Sequence, residues 1–407
     1  MIRILCLNTK DDAARIYGNT LHCPDFEFIF DIAHSFIPED FLNKHSPDIL
    51  LLSLEWIPFY RLVSAEARKK SIPVIYVMDG IIEWTYIWNN HSYIFDDGTF
   101  MQPLVADHLC TIGRNPSRYL SSLGLADKIN VIGLPRLDNY EFSRKRTSQP
   151  TILICTANTY SHNLSHNLYV LQALRDLKSF FDRNKSFIPI WRIPKTLAGQ
   201  LDIASYVEGE TFKESLSRSN ALISFPSTCL IEGMLADIPT CLIEYRIEPL
   251  LFNSAWQIRS KDHIESVIHE LLFPPLQKLA YQRLCIQDEL EEGSASEKLI
   301  KLIKDIANGE HNHEALQKQQ NGPIDYKSIH SQLSAFSIDS QSLLQYELEA
   351  YSKHLKKLKL DLADSIKTIY SSPFIRLLLT LKNIPGFKKV NRAILKLVGA
   401  IGVNVHR

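Results

Sequence analysis

Residues 219–244 read SNALISFPSTCLIEGMLADIPTCLIE. Ala221–Phe225 is a short apolar run that ends at Pro226, the pattern of a strand buried on both faces. Ser227–Leu235 then spaces its apolar residues as an amphipathic helix, and Ile238-Pro239 leads into a second buried strand, Thr240–Ile243. Strand, helix, strand in this order is the unit of a parallel sheet covered by helices.

The same alternation runs outward in both directions. Toward the N-terminus, Ile2–Leu7, Glu27–Ile32, Asp48–Leu54, Pro73–Met78, His108–Ile112 and Ile129–Leu134 read as buried strands, with helices predicted over Tyr60–Lys70 and Pro116–Leu123. After the polar stretch 139–150 the pattern restarts. Strands are predicted at Thr151–Ala157 and Ile188–Ile193, and helices at His166–Phe181, Thr211–Ser217, Asp262–Leu272, 276–290 and 295–307. The reading is an α/β protein of two Rossmann-like, doubly wound domains, 1–140 and 150–308, facing each other across a cleft. Residues 309–340 are polar and irregular and read as a linker.

Beyond it, Leu344, Leu348, Tyr351, Leu355, Leu358 and Leu362 follow a heptad-like spacing over 341–370. That spacing fits a short coiled coil that makes a homodimer, and equally a helix packed back on the body. Residues 371–407 carry Arg376, Lys382, Lys388, Lys389, Arg392, Lys396 and Arg407 with no Asp or Glu. Lys+Arg and Asp+Glu both number 45, so this +7 tail leaves the rest at −7. A basic amphipathic tail fits an anionic membrane surface, or else docks on the acidic body. The balanced total gives no argument for nucleic acid binding. The seven cysteines include no CxxC pair and read as reduced core thiols. Met1 leads straight into a strand without a signal-peptide pattern, so the expected place is the cytoplasm, on or near the inner face of the membrane.

Ser227 and Thr228 sit where the predicted helix begins, a natural place for an anion such as a diphosphate. Glu232, one turn on and on the same face, can accept hydrogen bonds from ribose hydroxyls. Arg192 and Lys195 follow a predicted strand and can neutralise phosphate, and Asn158 lies just past the first strand of the second domain. Asp79 ends a strand at the cleft, where a carboxylate can take a proton from an acceptor hydroxyl; Glu83 follows it as a second candidate. Asp79 also reads as a turn residue before Gly80. Asp96-Asp97 reads as a turn, and His162, His166, His311 and His313 show no metal-ligand spacing, so no metal or bound cofactor is predicted. There is no GxGxxG and no P-loop.

The stretch after residue 106, with Lys128-Ile129, Val131, Gly133, Pro135, Arg136 and Asp138, resembles the end of the first domain in GT-B-type surface-polysaccharide enzymes. These are the CDP-glycerol glycerophosphotransferase-like and capsule glycosyltransferases, with UDP-GlcNAc 2-epimerases as structural relatives. Ser227, Thr228, Glu232 and Pro239 match the nucleotide-binding helix of the same group, and Glu292–Leu299 resembles the opening of its last helix. The resemblance spans about residues 1–306 and places Gly133, Arg136 and Asp138 at the interdomain cleft. It implies transfer of a sugar, or a related group, from a nucleotide-sugar donor to a glycan or lipid-linked acceptor, without a metal ion. A non-catalytic nucleotide-sugar- or glycan-binding scaffold and a nucleotide-sugar 2-epimerase are the alternatives. The chain departs from the group at three places. Asp79-Gly80 stands where the glycerophosphotransferases have His-Gly, no His-Pro follows the second strand of domain two, and Asp237 replaces a usual Gly.

Overall fold

The apolar runs of the first segment fold as one parallel sheet. In the computed structural model, residues 1–32, 37–55, 58–84, 87, 104–145, 147–158, 160, 164–309, 356, 359 and 360 are described. The strands of the first domain are β1 (Ile2–Cys6), β2 (Phe26–Phe30), β3 (Ile49–Leu52), β4 (Val74–Val77), β5 (His108–Thr111) and β6 (Ile129–Val131). Between them run α1 (Lys10–Tyr17), α2 (Pro38–His45), α3 (Pro58–Lys69) and α4 (Arg114–Leu120). The sheet order is β2-β1-β3-β4-β5-β6, with every pair parallel.

The second domain holds β7 (Thr151–Cys155), α5 (Leu164–Arg183), β8 (Ile188–Arg192), α6 (Lys195–Gln200), α7 (Phe212–Ser217), β9 (Ala221–Ser224), α8 (Cys229–Leu235) and β10 (Thr240–Ile243). It continues with β11 (Trp256–Ile258), α9 (Ile264–Leu272) and α10 (Leu276–Glu289). Its sheet is β11-β10-β9-β7-β8, again all parallel. In each sheet the order reverses beside the first strand, between β1 and β3 and between β7 and β9. Such switch points open a crevice at the carboxyl ends of the strands.

The final helix, α11 (Ala295–Ala307), follows the second domain in sequence, but Leu299, Leu302, Ile303 and Ile306 pack into the core of the first sheet with Ile4, Ile16 and Ile49. Gly133 sits at φ +101°, and a Cβ there would lie 3.1 Å from that of Ala295. Asp138 meets the start of the same helix: its carboxylate accepts from the amides of Ala295 (2.6 Å) and Ser296 (2.8 Å) and from Ser294 Oγ (3.2 Å). Gly133 and Asp138 thus dock the last helix on the first domain, a cap for N–H groups that have no partner within the helix.

Several elements differ from the sequence reading. β11 has three residues and α6 six, too short to show a period. α1 and α2 are rich in charge, and their apolar faces are narrow. Helix α4 begins at Arg114 rather than Pro116 and passes into a wider turn, Ser121–Leu125, relieved by Gly124 at φ 84°. Asp237 is left-handed at φ 54° and pairs with Arg283 at 3.0 Å. Asp is among the few side chains that tolerate this backbone region. All seven cysteines are free thiols.

Among the described residues no helix is long and apolar enough to cross a membrane. The linker after 309, most of the heptad segment and the basic tail lie outside the described residues, as do Asp96, Asp97, His162, His311 and His313. In the unit Glu349–Arg407, Lys356, Lys359 and Leu360 are described and helical.

Candidate functional site

Strand β9 is buried throughout, and its carboxyl end delivers Pro226-Ser227-Thr228 to the crevice. Ser227 Oγ accepts from the Cys229 amide at 3.4 Å, and Thr228 is the N-cap residue of α8 without a side-chain cap bond. The helix is only seven residues long, so its dipole is small, and hydroxyls supply much of any anion site there. Directly opposite lies Gly80, in the loop after β4. A Cβ at Gly80 would stand 2.5 Å from Thr228 Oγ1. The fold therefore brings the Asp79–Glu83 loop and the Ser227-Thr228 loop together, although they are far apart in sequence.

Glu232 lies on the inner face of α8, half-buried. Burial pushes its pKa up, while the guanidinium groups of Arg136 and Arg192 pull it back down. Arg192 Nη1 donates to the Glu210 carbonyl at 2.5 Å, which fixes the side chain. Tyr140 belongs to the same group: burial, then the negative charge of Glu232, holds its phenol far above its ordinary range. Lys213 stands over the Tyr140 ring, 5.6 Å from its centre. Two buried polar atoms of this group, Arg136 Nε and Tyr140 Oη, have no partner among the described protein atoms, nor does Thr156 Oγ1 just past the end of β7. Buried polar atoms are seldom left so, and a polar ligand is one physical reason for it.

The two carboxylates offered as bases part company. Asp79 is partly exposed and meets Arg15 of its own domain at 3.6 Å. Glu83 crosses to the second domain, where Arg246 Nη2 donates to it at 3.0 Å. Arg246 is buried and also engages Glu244 and, at 3.1 Å, Glu248. His166, in the first turn of α5, joins Glu83 and Glu244, with one possible ligand atom from each within 4.8 Å of the others.

Asn158 and Lys195 are exposed, and no hydrogen bond or ion pair ties either to Glu232 among the described residues. The charge of Arg136 acts on Glu232, whereas Gly133 and Asp138 face the last helix. Tyr140, Arg246, Glu244 and His166 went unassigned in the sequence reading. The first lies in the polar stretch 139–150 between the two domains, and the others share no local spacing.

No family model matches the chain, and no curated protein matches it in sequence. Solved structures do share its fold. A UDP co-structure of MnaA from S. aureus aligns with TM-score 0.53 at 13 % identity, over 76 % of this chain and 97 % of that one. A UDP-GlcNAc 2-epimerase from Neisseria meningitidis bound to UDP-GlcNAc gives TM-score 0.54 at 12 % identity, over 75 % and 100 %. A putative UDP-N-acetylglucosamine 2-epimerase from Listeria monocytogenes gives TM-score 0.54 at 12 %, over 75 % and 96 %. At such identities the likeness is one of fold: this chain has the GT-B architecture, two Rossmann-like domains facing a crevice.

Proposed function

We propose that the chain is an enzyme that uses a nucleotide-activated sugar, and that it transfers the sugar to a surface-polysaccharide acceptor. The observation that carries this reading is the Glu232 cluster at the switch point of the second sheet. It offers Arg136 and Arg192 as cations, the Ser227 and Thr228 hydroxyls, and the unpartnered donors Arg136 Nε and Thr156 Oγ1. Cations and hydroxyls suit a diphosphate, and a carboxylate one turn into α8 suits ribose hydroxyls. Charge grows on the diphosphate as the glycosidic bond breaks, so donors fixed beforehand favour cleavage. Arg192, anchored on the Glu210 carbonyl, is such a donor.

Asp79 is the better base in this scheme. Its ion pair with Arg15 is long and exposed, whereas Glu83 is engaged by the buried Arg246 at 3.0 Å. Asp79 adjoins Gly80, which faces Thr228, so an acceptor hydroxyl beside it would stand near the donor. Asn158 and Lys195, at the mouth of the second domain's strands, would contact the sugar or outer phosphate. The +7 tail would keep the enzyme at an anionic membrane and a lipid-linked acceptor, and the heptads would pair two chains.

A second reading, rearrangement of the donor itself, is favoured by the fold likeness to UDP-GlcNAc 2-epimerases. Incubating the protein with labelled UDP-, CDP- and GDP-sugars, with and without membrane-lipid and glycan acceptors, decides between them. Label in an acceptor supports transfer. Conversion of the donor sugar without an acceptor supports epimerisation, and tight binding with neither product supports a scaffold.

A further inference from the structure

Tyr140 lies in the polar stretch between the two domains, yet its contacts tie it to the second. Its amide donates to the Leu137 carbonyl at 3.1 Å, which turns the chain toward α7. Lys213, in the first turn of that helix, stands 5.6 Å from the centre of the Tyr140 ring. A little further on, Phe142 packs against the cluster of Leu153, Cys155 and Leu216, and the Lys145 amide donates to the Ser217 carbonyl at 2.7 Å. The ring is therefore placed by packing and by its neighbours along the chain, not by its own hydroxyl. Tyr140 Oη is buried and has no partner among the described protein atoms. A buried hydroxyl left in this way is costly, and a ligand that bonds to it repays the cost.

Glu232 is near enough for its charge to act on the phenol, and yet no hydrogen bond joins the two. Burial, then that charge, keeps the phenol protonated, so Oη is a donor. Arg136 and Arg192 favour the anionic form of Glu232, which only accepts. A donor and an acceptor that are neighbours without bonding to each other are both met by a single ligand hydroxyl. It accepts from the phenol and donates to the carboxylate. A phosphate or carbonyl oxygen can satisfy only the phenol, and an N–H group only the carboxylate. We propose that Tyr140 and Glu232 hold one ribose hydroxyl of the nucleotide between them, so that the site selects a donor whose ribose keeps its hydroxyls over a deoxyribose one. This rests on the reading of the Glu232 cluster as the donor site.

The test measures, by calorimetry on the full chain and on Tyr140→Phe, the binding of uridine, cytidine and guanosine diphosphates and of their 2′-deoxy and 3′-deoxy forms. The wild type should bind one of the deoxy forms about 10-fold or more weakly than the parent ribonucleotide. Tyr140→Phe should lose about 10-fold for the ribonucleotide and discriminate less against that deoxy form. Without ligand, the unfolding midpoint of Tyr140→Phe should equal or exceed that of the wild type, because the variant gives up no protein hydrogen bond. A hydroxyl with a purely structural role would lower it. Unchanged affinity and discrimination in Tyr140→Phe overturns this inference and leaves the donor site standing. So does an equal loss for ribose and deoxyribose forms together with a lowered midpoint. A wild type that binds none of these nucleotides overturns the inference and the donor-site reading together.

Discussion

Gly80 and Thr228 touch across the crevice, and a single added methyl at Gly80 would come within 2.5 Å of the Thr228 hydroxyl oxygen. A loop of the first domain and the head of α8 in the second are thus fitted to each other with no room for a side chain. Gly80→Ala should destabilise the protein by about 1–3 kcal/mol, the usual cost of overpacking. Thr228→Ala should relieve most of it, because only the threonine Cβ, at 3.8 Å, would remain nearby. A double-mutant cycle by urea unfolding measures the coupling; additive single effects would show that the two residues do not meet.

Asp138 gives a prediction that separates docking from chemistry. It accepts three hydrogen bonds at the start of α11, whose apolar face completes the first core. Asp138→Ala should cost about 2 kcal/mol of unfolding free energy, typical of charge-assisted bonds lost at a partly buried site. Asp138→Asn should recover part of it. Nucleotide affinity of the folded variant should stay near that of the wild type.

The contact between α4 and α10 carries a pH dependence. Glu289 is 2 % exposed and accepts from Asn115 Nδ2 and from the Asn253 amide, both at 2.7 Å. Burial pushes its pKa from 4.5 up to about 7. The folded protein therefore keeps a proton that the unfolded chain has already released. The associated stability is complete below the unfolded value and is lost as pH rises through the folded one. Glu289→Gln keeps the accepting oxygen and cannot ionise. It should exceed the wild type by at most about 3 kcal/mol at high pH, with the gap closing toward pH ~4.5. Denaturant titrations of both proteins across that range check this; a gap that does not vary with pH would contradict it.

Asp79 and Glu83 should respond differently to loss of charge. Asp79→Asn should lower the transfer rate by about 100-fold or more, the scale of general-base catalysis, with donor affinity unchanged. Glu83→Gln should act mainly through stability, because its carboxylate is bound to Arg246. Rate and donor dissociation constant, measured for both variants, distinguish the two roles.

Much of the fold was legible because buried parallel strands are short apolar runs, and ten of the eleven strands among the described residues show that pattern. The exception, Trp256–Ile258, is a three-residue edge strand with Gln257 exposed. The resemblance rested on positions that the backbone itself demands. Gly133 is held at φ +101° against Ala295, whereas Asp237, a departure from the pattern, holds its turn in the left-handed region at φ 54°. What the sequence could not display is convergence. Nothing in the spacing of residues 83, 166 and 244 marks them as neighbours, and His166 looked like one of several scattered histidines. Arg136 and Tyr140 lie nearly a hundred positions from Glu232, and only the closing of two sheets on one crevice sets their charges against it. The family pattern marked Arg136 as important, but not what it faces.

The central claim is that the Glu232 cluster binds a nucleotide-sugar, and thermal unfolding with a panel of UDP-, CDP-, GDP- and CMP-sugars tests it most directly. A ligand bound only by the folded state adds about 2.7 kcal/mol at 100 times its dissociation constant. The account predicts that one nucleotide class raises the midpoint of the wild type and fails to raise that of Glu232→Ala or Arg136→Ala. A panel that moves no midpoint, or moves the wild type and both variants alike, would contradict it.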